Sequence, residues 1–245
     1  MKTLYIDSWA LYKAHTEDFL DDLSYYHEFC KGYKSLDIFA GYGRLTNPLS
    51  KMNIDIEALE IEPNFMKCID LDGAKKHLCN ILDFNPSKTY ERVIAGFNSF
   101  CLLQKDHDIQ LFFKKLSDIL SYGGMASLSY YPISRWDDPS EYEFDYENRT
   151  VKYSSSYTVK GNQAVWSDLY QIGGEQHRFD YPVRIYRSEQ DLHKFYKNLD
   201  LKLIDIINDY NRKCIFYCVL SCLFQPKKHM FLPNLRPGIS IHGCS

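Results

Sequence analysis

Asp37, Gly41, Gly43 and Glu60 combine two acids and two glycines in a pattern suited to holding a ligand. The run 35-SLDIFAGYGRLTNPL-49 sets Asp37 in an apolar stretch and then opens into a Gly-x-Gly turn. Glycine has no Cβ, so a ligand can lie against the backbone N–H groups there and against the positive end of a following helix. Glu60 ends the next apolar run, 23 positions after Asp37. An acid about 20 residues beyond such a turn is placed to bind two ribose hydroxyls. The ligand that fits this combination is a nucleoside, and charge tells which kind. A dinucleotide fingerprint needs a third glycine, where this chain has Thr46. Asp37 also stands where a pyrophosphate would be repelled and where an ammonium and a sulfonium would be attracted. That charge pattern fits S-adenosylmethionine (SAM).

Periodicity predicts the strands and helices that carry these residues. Residues 8–29 have helical spacing, and Leu11, Phe19, Leu23, Tyr26 and Phe29 can share a face. Strands are expected at 35–40, 54–61, 76–82, 91–97 and 125–131. Helices alternate with them. One covers 43–52, started late or kinked by Pro48, and one covers 63–71 with Pro63 at its start. A third, at 107–121, should be capped by Gly123 and Gly124. Strand and helix in alternation predict a parallel, doubly wound sheet. The rhythm then changes. Residues 141–186 alternate between Glu-Asn, Lys-Gly-Asn and Gly-Gly turns, which reads as an antiparallel meander. A Ser-capped helix at 188–199 and a closing strand pair at 201–209 and 213–224 follow. The expected architecture is α/β: a doubly wound, Rossmann-like, seven-stranded and mostly parallel sheet with an antiparallel β meander insertion. A single domain over 1–245 is expected, with a cofactor-binding core at 1–131 and 187–224. The insertion at 132–186 lies on the substrate side, and 225–245 is a tail.

LDIFAGYGRL resembles the glycine motif of the class I SAM-dependent methyltransferases. The resemblance continues in order through ALEIEPNFM, CNILDF, ERVIAGFNSFCLL and LSDILSYGGMASLSYY. The meander is similar to that of a subset of small-molecule methyltransferases. The resemblance implies SAM as cofactor and S-adenosylhomocysteine (SAH) as product. It implies that Asp37, Gly41 and Gly43 line the methionine part, together with Phe39, which stands where the family has its first glycine. Glu60 would hold the ribose and Ile61 would pack on adenine. Asn80 and Ile81 would meet the adenine edge, Asn80 replacing the usual acid. Phe97 and Asn98 would lie beside the methionine portion and the reacting methyl, and Tyr12 would form a lid. Methyl transfer is an in-line displacement in which the protein chiefly positions and desolvates. Asn98, Tyr131 and Arg135 are the candidate catalytic residues. The acceptor pocket would be built from the loops at 97–102 and 130–136 and from the meander. Trp136, Tyr170 and Arg184 are further candidates there. Arg135 or Arg184 could bind a carboxylate or phosphate, with a surface ion pair as the plainer reading. His107 reads as a helix start rather than a base.

Composition narrows the classes. The net charge of −3 provides no general basic field for nucleic acid, although Lys227, Lys228, His229 and Arg236 make the tail locally basic. The active-site loop is GFNSF rather than the N/D-P-P-Y/F of nucleic-acid methyltransferases. The eight cysteines form no CxxC pair and no zinc spacing, so no metal is expected and free thiols are. The opening residues make a poor signal peptide because of Asp7, and 214-CIFYCVLSCLF-224 is too short to span a bilayer as a helix. A cytoplasmic protein is expected, with a small-molecule substrate, no nucleic acid and no membrane, and self-association into a homodimer left open. Methylation of RNA or protein, or a non-catalytic binding module on the same fold, are the alternatives.

Overall fold

Strand β1 (Ser35–Ile38) is buried along its whole length, because apolar layers cover both of its faces. The computed structural model describes residues 7–130, 141–208 and 216–222. Ahead of β1 lie helices α1 (Ser8–Thr16) and α2 (Leu23–Cys30), where the apolar spacing alone predicts one continuous helix. The break falls at 17–22, and Asp22 leaves the helix path to meet Arg44. Leu11 and the residues of α2 therefore do not share a face. Leu11 packs under the meander, whereas Tyr26 packs beside β1 with Phe19, Leu23 and Phe29.

After the glycine turn comes the short helix α3 (Thr46–Lys51). Its late start places Pro48 among the first helical residues, where a missing N–H costs no internal bond. Strand β2 (Ile56–Glu60), helix α4 (Pro63–Cys68) and strand β3 (Lys76–Leu78) follow. Glu62 caps α4 by accepting the Asn64 N–H, with Pro63 first in the helix. Strand β4 (Tyr90–Ala95) leads to α5 (Asp106–Ile119), which buries Ile109, Phe112, Phe113 and Leu116 on one face. Each such side chain, fully removed from water, contributes about 1.5–3 kcal/mol. Glycine does not cap α5. The chain passes at Leu120 directly into β5 (Leu120–Tyr130), and Gly123 and Gly124 lie in an irregularity of that strand opposite the Tyr90–Arg92 step of β4.

The meander has the expected turns. Strands β6 (Glu141–Tyr146), β7 (Arg149–Lys160), β8 (Gln163–Ile172) and β9 (Glu175–Arg184) pair antiparallel in that order. Glu147 and Asn148 turn the first corner, and Gly173 and Gly174 the last, all with positive φ. Helix α6 (Glu189–Tyr196) and the antiparallel pair β10 (Leu201–Asn208) and β11 (Phe216–Cys222) close the chain.

The large sheet has seven strands in the order β10-β11-β5-β4-β1-β2-β3. Strands β1 to β5 run parallel, and β11 joins β5 antiparallel. This is the seven-stranded, mostly parallel sheet that the alternating pattern predicts. The order reverses between β1 and β4, so the loops leaving these two strands diverge and open a crevice. Among the described residues no helix is long and apolar enough to cross a membrane. No group of residues there could hold a metal ion.

Candidate active site

The two glycines of the turn serve different purposes. Gly41 has φ +58°, and a Cβ added to it would meet nothing within 4 Å. It faces open space, as a ligand seat should. Gly43 has φ +87°, and an added Cβ would lie 2.7 Å from Asn47 Oδ1. Asn47 needs that room because it ties the turn to the segment after β2. Its amide donates to Cys68 O at 3.0 Å, and its oxygen accepts the Asp70 N–H at 2.8 Å.

Glu60 stands at the end of β2 beside Gly41, 6% exposed. Its Oε2 accepts the Gly41 N–H at 2.7 Å, and its Oε1 accepts those of Ile61 and Glu62 at 2.9 and 2.8 Å. A carboxylate has about four acceptor positions. One remains on Oε2, the oxygen that meets the turn at Gly41. Ile61 and Leu78, at the ends of β2 and β3, are 61% and 53% exposed. Two large exposed apolar side chains at one edge suit a flat aromatic ligand such as adenine. Asn80 lies at the same edge, and its side-chain oxygen accepts the Leu82 N–H at 3.0 Å. Ile81 turns its side chain into the main core. These groups fit SAM: open space beside Gly41, a spare carboxylate acceptor and an apolar edge.

Asp37 is buried in β1, and Thr46 Oγ1 donates to its Oδ2 at 2.7 Å. Burial pushes its carboxyl up to about 7, against the pull of Thr46 and Arg44. Phe39, in place of a glycine, still adopts φ +59°, and its ring turns to Phe112 and the main core. Arg44 is a residue that sequence reasoning missed. It forms a two-pronged pair with Asp22 at 2.6 and 2.8 Å and donates to Phe19 O at 2.8 Å. Its guanidinium lies 5.0 Å from the Phe97 ring and 5.4 Å from Phe19. The only sequence signal was its place directly after the turn, since Asp22 is distant in the chain.

The loop after β4 is strained. Phe97 and Asn98 both take positive φ, +52° and +59°. Such residues cost of order 1–3 kcal/mol each and persist where surroundings over-determine them. Here Arg44 holds Phe97, and Ser129 of β5 holds Asn98. Ser129 Oγ accepts the Asn98 N–H and donates to Asn98 Oδ1, both at 2.8 Å. Ser129 was also missed.

Tyr12 of α1 lies over this loop and the turn, with its ring 6.3 Å from Tyr42, 6.5 Å from Phe97 and 5.9 Å from Phe65. Thr16, one turn on, pairs with the Tyr42 hydroxyl at 3.0 Å. The indole N–H of Trp9, packed against Phe65, is buried without a partner among the described residues. From its other side α1 meets the meander. His15 Nδ1 pairs with Tyr170 OH at 2.6 Å, and its ring lies 4.5 Å from Tyr153. Tyr170 is thus a buried partner of α1. Arg184 is engaged within the protein: it pairs with Asp106 at 2.7 Å and donates to Gln104 O at 3.0 Å. His107 lies in the first turn of α5. Tyr131, Arg135 and Trp136 lie outside the described residues.

No protein-family model matches the sequence, and no curated protein does. Solved structures do match. The chain is similar to SAM-bound CalS10, an amino pentose methyltransferase from Micromonospora echinaspora involved in calicheamicin biosynthesis. The identity is 16% and the TM-score 0.73, over 91% of this chain and 99% of that one. It is similar to DesVI from Streptomyces venezuelae at 15% identity and TM-score 0.71, over 88% and 99% of the two chains. KedS8, a sugar N-methyltransferase from a Streptoalloteichus species, matches at 15% and 0.70, over 89% and 96%. Likeness at these identities establishes the fold: the chain has the class I SAM-dependent methyltransferase fold over nearly its whole described length.

Proposed function

We propose that the protein is a SAM-dependent methyltransferase that methylates an oxygen or nitrogen atom of a small, sugar-like molecule. The observation that carries this reading is the open space at Gly41 beside the spare acceptor of Glu60. The end-to-end likeness to small-molecule methyltransferases supports it. SAM, when bound, supplies a methyl group on a sulfonium and becomes SAH as that group is lost.

The chain's own residues position and desolvate the reactants. Glu60 offers its free Oε2 position to the ribose, and Ile61 offers its exposed side chain to adenine. Asp37, in β1 before the turn, ionises to balance the positive charge of a bound cofactor. The Arg44–Asp22 pair fixes the Phe97 ring, and Ser129 fixes Asn98, so the wall beside the reacting methyl is rigid. Tyr12 covers the turn from α1 and presents an aromatic face to a cation.

The reading is tested by thermal unfolding with SAH and with a nicotinamide dinucleotide. SAH at a hundredfold excess over its Kd stabilises by about 2.7 kcal/mol, and the dinucleotide does not. Stabilisation by the dinucleotide alone would reject the proposal.

A further inference from the structure

The meander holds a carboxylate that the cofactor reading leaves unused. Asp168 of β8 is 3% exposed. Its Oδ1 accepts from Tyr153 OH at 2.8 Å and Trp166 Nε1 at 2.9 Å, and its Oδ2 from Tyr181 OH at 2.9 Å. All three donors are neutral. Among the described residues no Lys or Arg forms an ion pair with it. His15 is no counter-ion either, since burial holds it down at about 4 and leaves it neutral at pH 7. A buried charge without a partner of opposite sign is costly. About one of the four acceptor positions of the carboxylate is left, on Oδ2.

The surroundings of Asp168 are aromatic. Cross-strand pairing puts Tyr142, Tyr153, Tyr170 and Phe179 on the same face of the meander. Contacts connect that face with the cofactor side. Tyr153 lies 4.5 Å from the His15 ring, His15 lies 5.6 Å from Tyr12, and Tyr12 lies 6.5 Å from Phe97. Aromatic rings around an anion make a receptor for an organic cation.

We propose that Asp168 is the acceptor-recognition residue: it receives the ammonium of an amine substrate within the aromatic face and so makes nitrogen, rather than oxygen, the methylated atom. Recognition of the cation stands by itself, while the choice of methylated atom rests on the proposed methyltransferase activity. The sign of the charge carries that choice. The bound ammonium first loses a proton to water, which frees its lone pair. The nitrogen then bonds to the methyl carbon as the carbon–sulfur bond breaks, and the sulfur keeps that electron pair. Positive charge leaves sulfur and arrives on nitrogen, where a carboxylate stabilises it. The methylated ammonium then loses a proton to water. A hydroxyl acceptor brings no positive charge for the carboxylate to hold, and the alkoxide character it gains as its proton leaves would be repelled by the same carboxylate.

The test uses cyclohexylammonium and its neutral counterpart cyclohexanol as probes. The readout is the indole N–H resonance of Trp166, which donates to the same carboxylate. With 3 Trp in the chain, Trp166→Phe assigns the signal. The wild type should respond saturably to the ammonium and not to the alcohol. Asp168→Asn should bind the ammonium about tenfold or more weakly, as expected for a desolvated charge pair, with SAH binding unchanged. Equal responses to both probes, no saturable response in the wild type, or an unchanged affinity in Asp168→Asn would each overturn the proposal. Should Asp168→Asn not fold, the wild-type comparison decides alone. SAH binding is measured by calorimetry on the same samples. Ammonium binding without SAH binding would reject the methyltransferase reading and keep the cation site. SAH binding without ammonium binding would reject the cation site alone.

Discussion

At Gly41 and Gly43 the missing Cβ atoms answer to different neighbours, and substitution should separate them. Gly41→Ala places a side chain in the left-handed region but in open space. It should cost about 1–2 kcal/mol of stability and, by filling the ligand seat, weaken SAM binding far more than that strain accounts for. Gly43→Ala adds a clash with Asn47, which is committed to Cys68 and Asp70. Its main effect should be a larger loss of stability, of roughly 2–4 kcal/mol. Chemical denaturation and calorimetry on both variants check this. If Gly43→Ala lost SAM binding at full stability, the assignment of the two roles would be wrong. Motif and spacing made Asp37, the glycines and Glu60 legible, because strand ends and turns fix backbone positions. The ring of Phe39 was not legible. A bulky residue can occupy a glycine's conformation when a core, here around Phe112, takes up its side chain.

Among the elements, the break between α1 and α2 has an electrostatic cause. Asp22 and Arg44 are both almost fully removed from water and pair at 2.6 Å. Removing one member of such a pair strands the other, at a cost of about 3–5 kcal/mol. Arg44→Met should therefore destabilise by that order in denaturant titrations and loosen the Phe97 loop that the guanidinium backs. A loss below about 1 kcal/mol, the range of surface pairs, would show that the pair does not hold the element in place. Apolar periodicity in 8–29 could not show the break, since the reason for it lies in Arg44, beyond β1. The meander was more legible. Its turns are written in Glu-Asn, Gly-Asn and Gly-Gly, whose residues accept positive φ. That α1 is clamped between the meander and the glycine turn could not be read locally, because it depends on His15, Tyr170 and Tyr42 meeting across the fold.

For the whole molecule, stability should depend on pH through Asp37. Its carboxyl is raised by burial to about 7 from an unfolded value of 3.8, so the native state holds the proton more tightly. Linkage then makes its contribution fully present below the unfolded value and lost as pH rises through about 7. Melting profiles of wild type and Asp37→Asn should diverge over that window, with the variant spared the loss. Parallel profiles would mean that Asp37 is charged in the native state throughout. The class of the sheet was legible because alternating strands and helices leave few right-handed, doubly wound solutions. The candidate site was only partly legible. Ser129 and Arg44 reach it from β5 and from the end of the turn, and the proposed role of Asp168 would join it from β8, places that spacing does not connect.

Calorimetric titration of SAM into the wild type and Glu60→Ala decides whether the glycine turn and its acid hold the cofactor. Saturable binding to the wild type is expected, weakened in Glu60→Ala by about 1–3 kcal/mol, the cost of leaving buried polar partners unpaired. A wild type that takes up no SAM, or a Glu60→Ala variant that binds SAM as tightly as the wild type, would rule out that site.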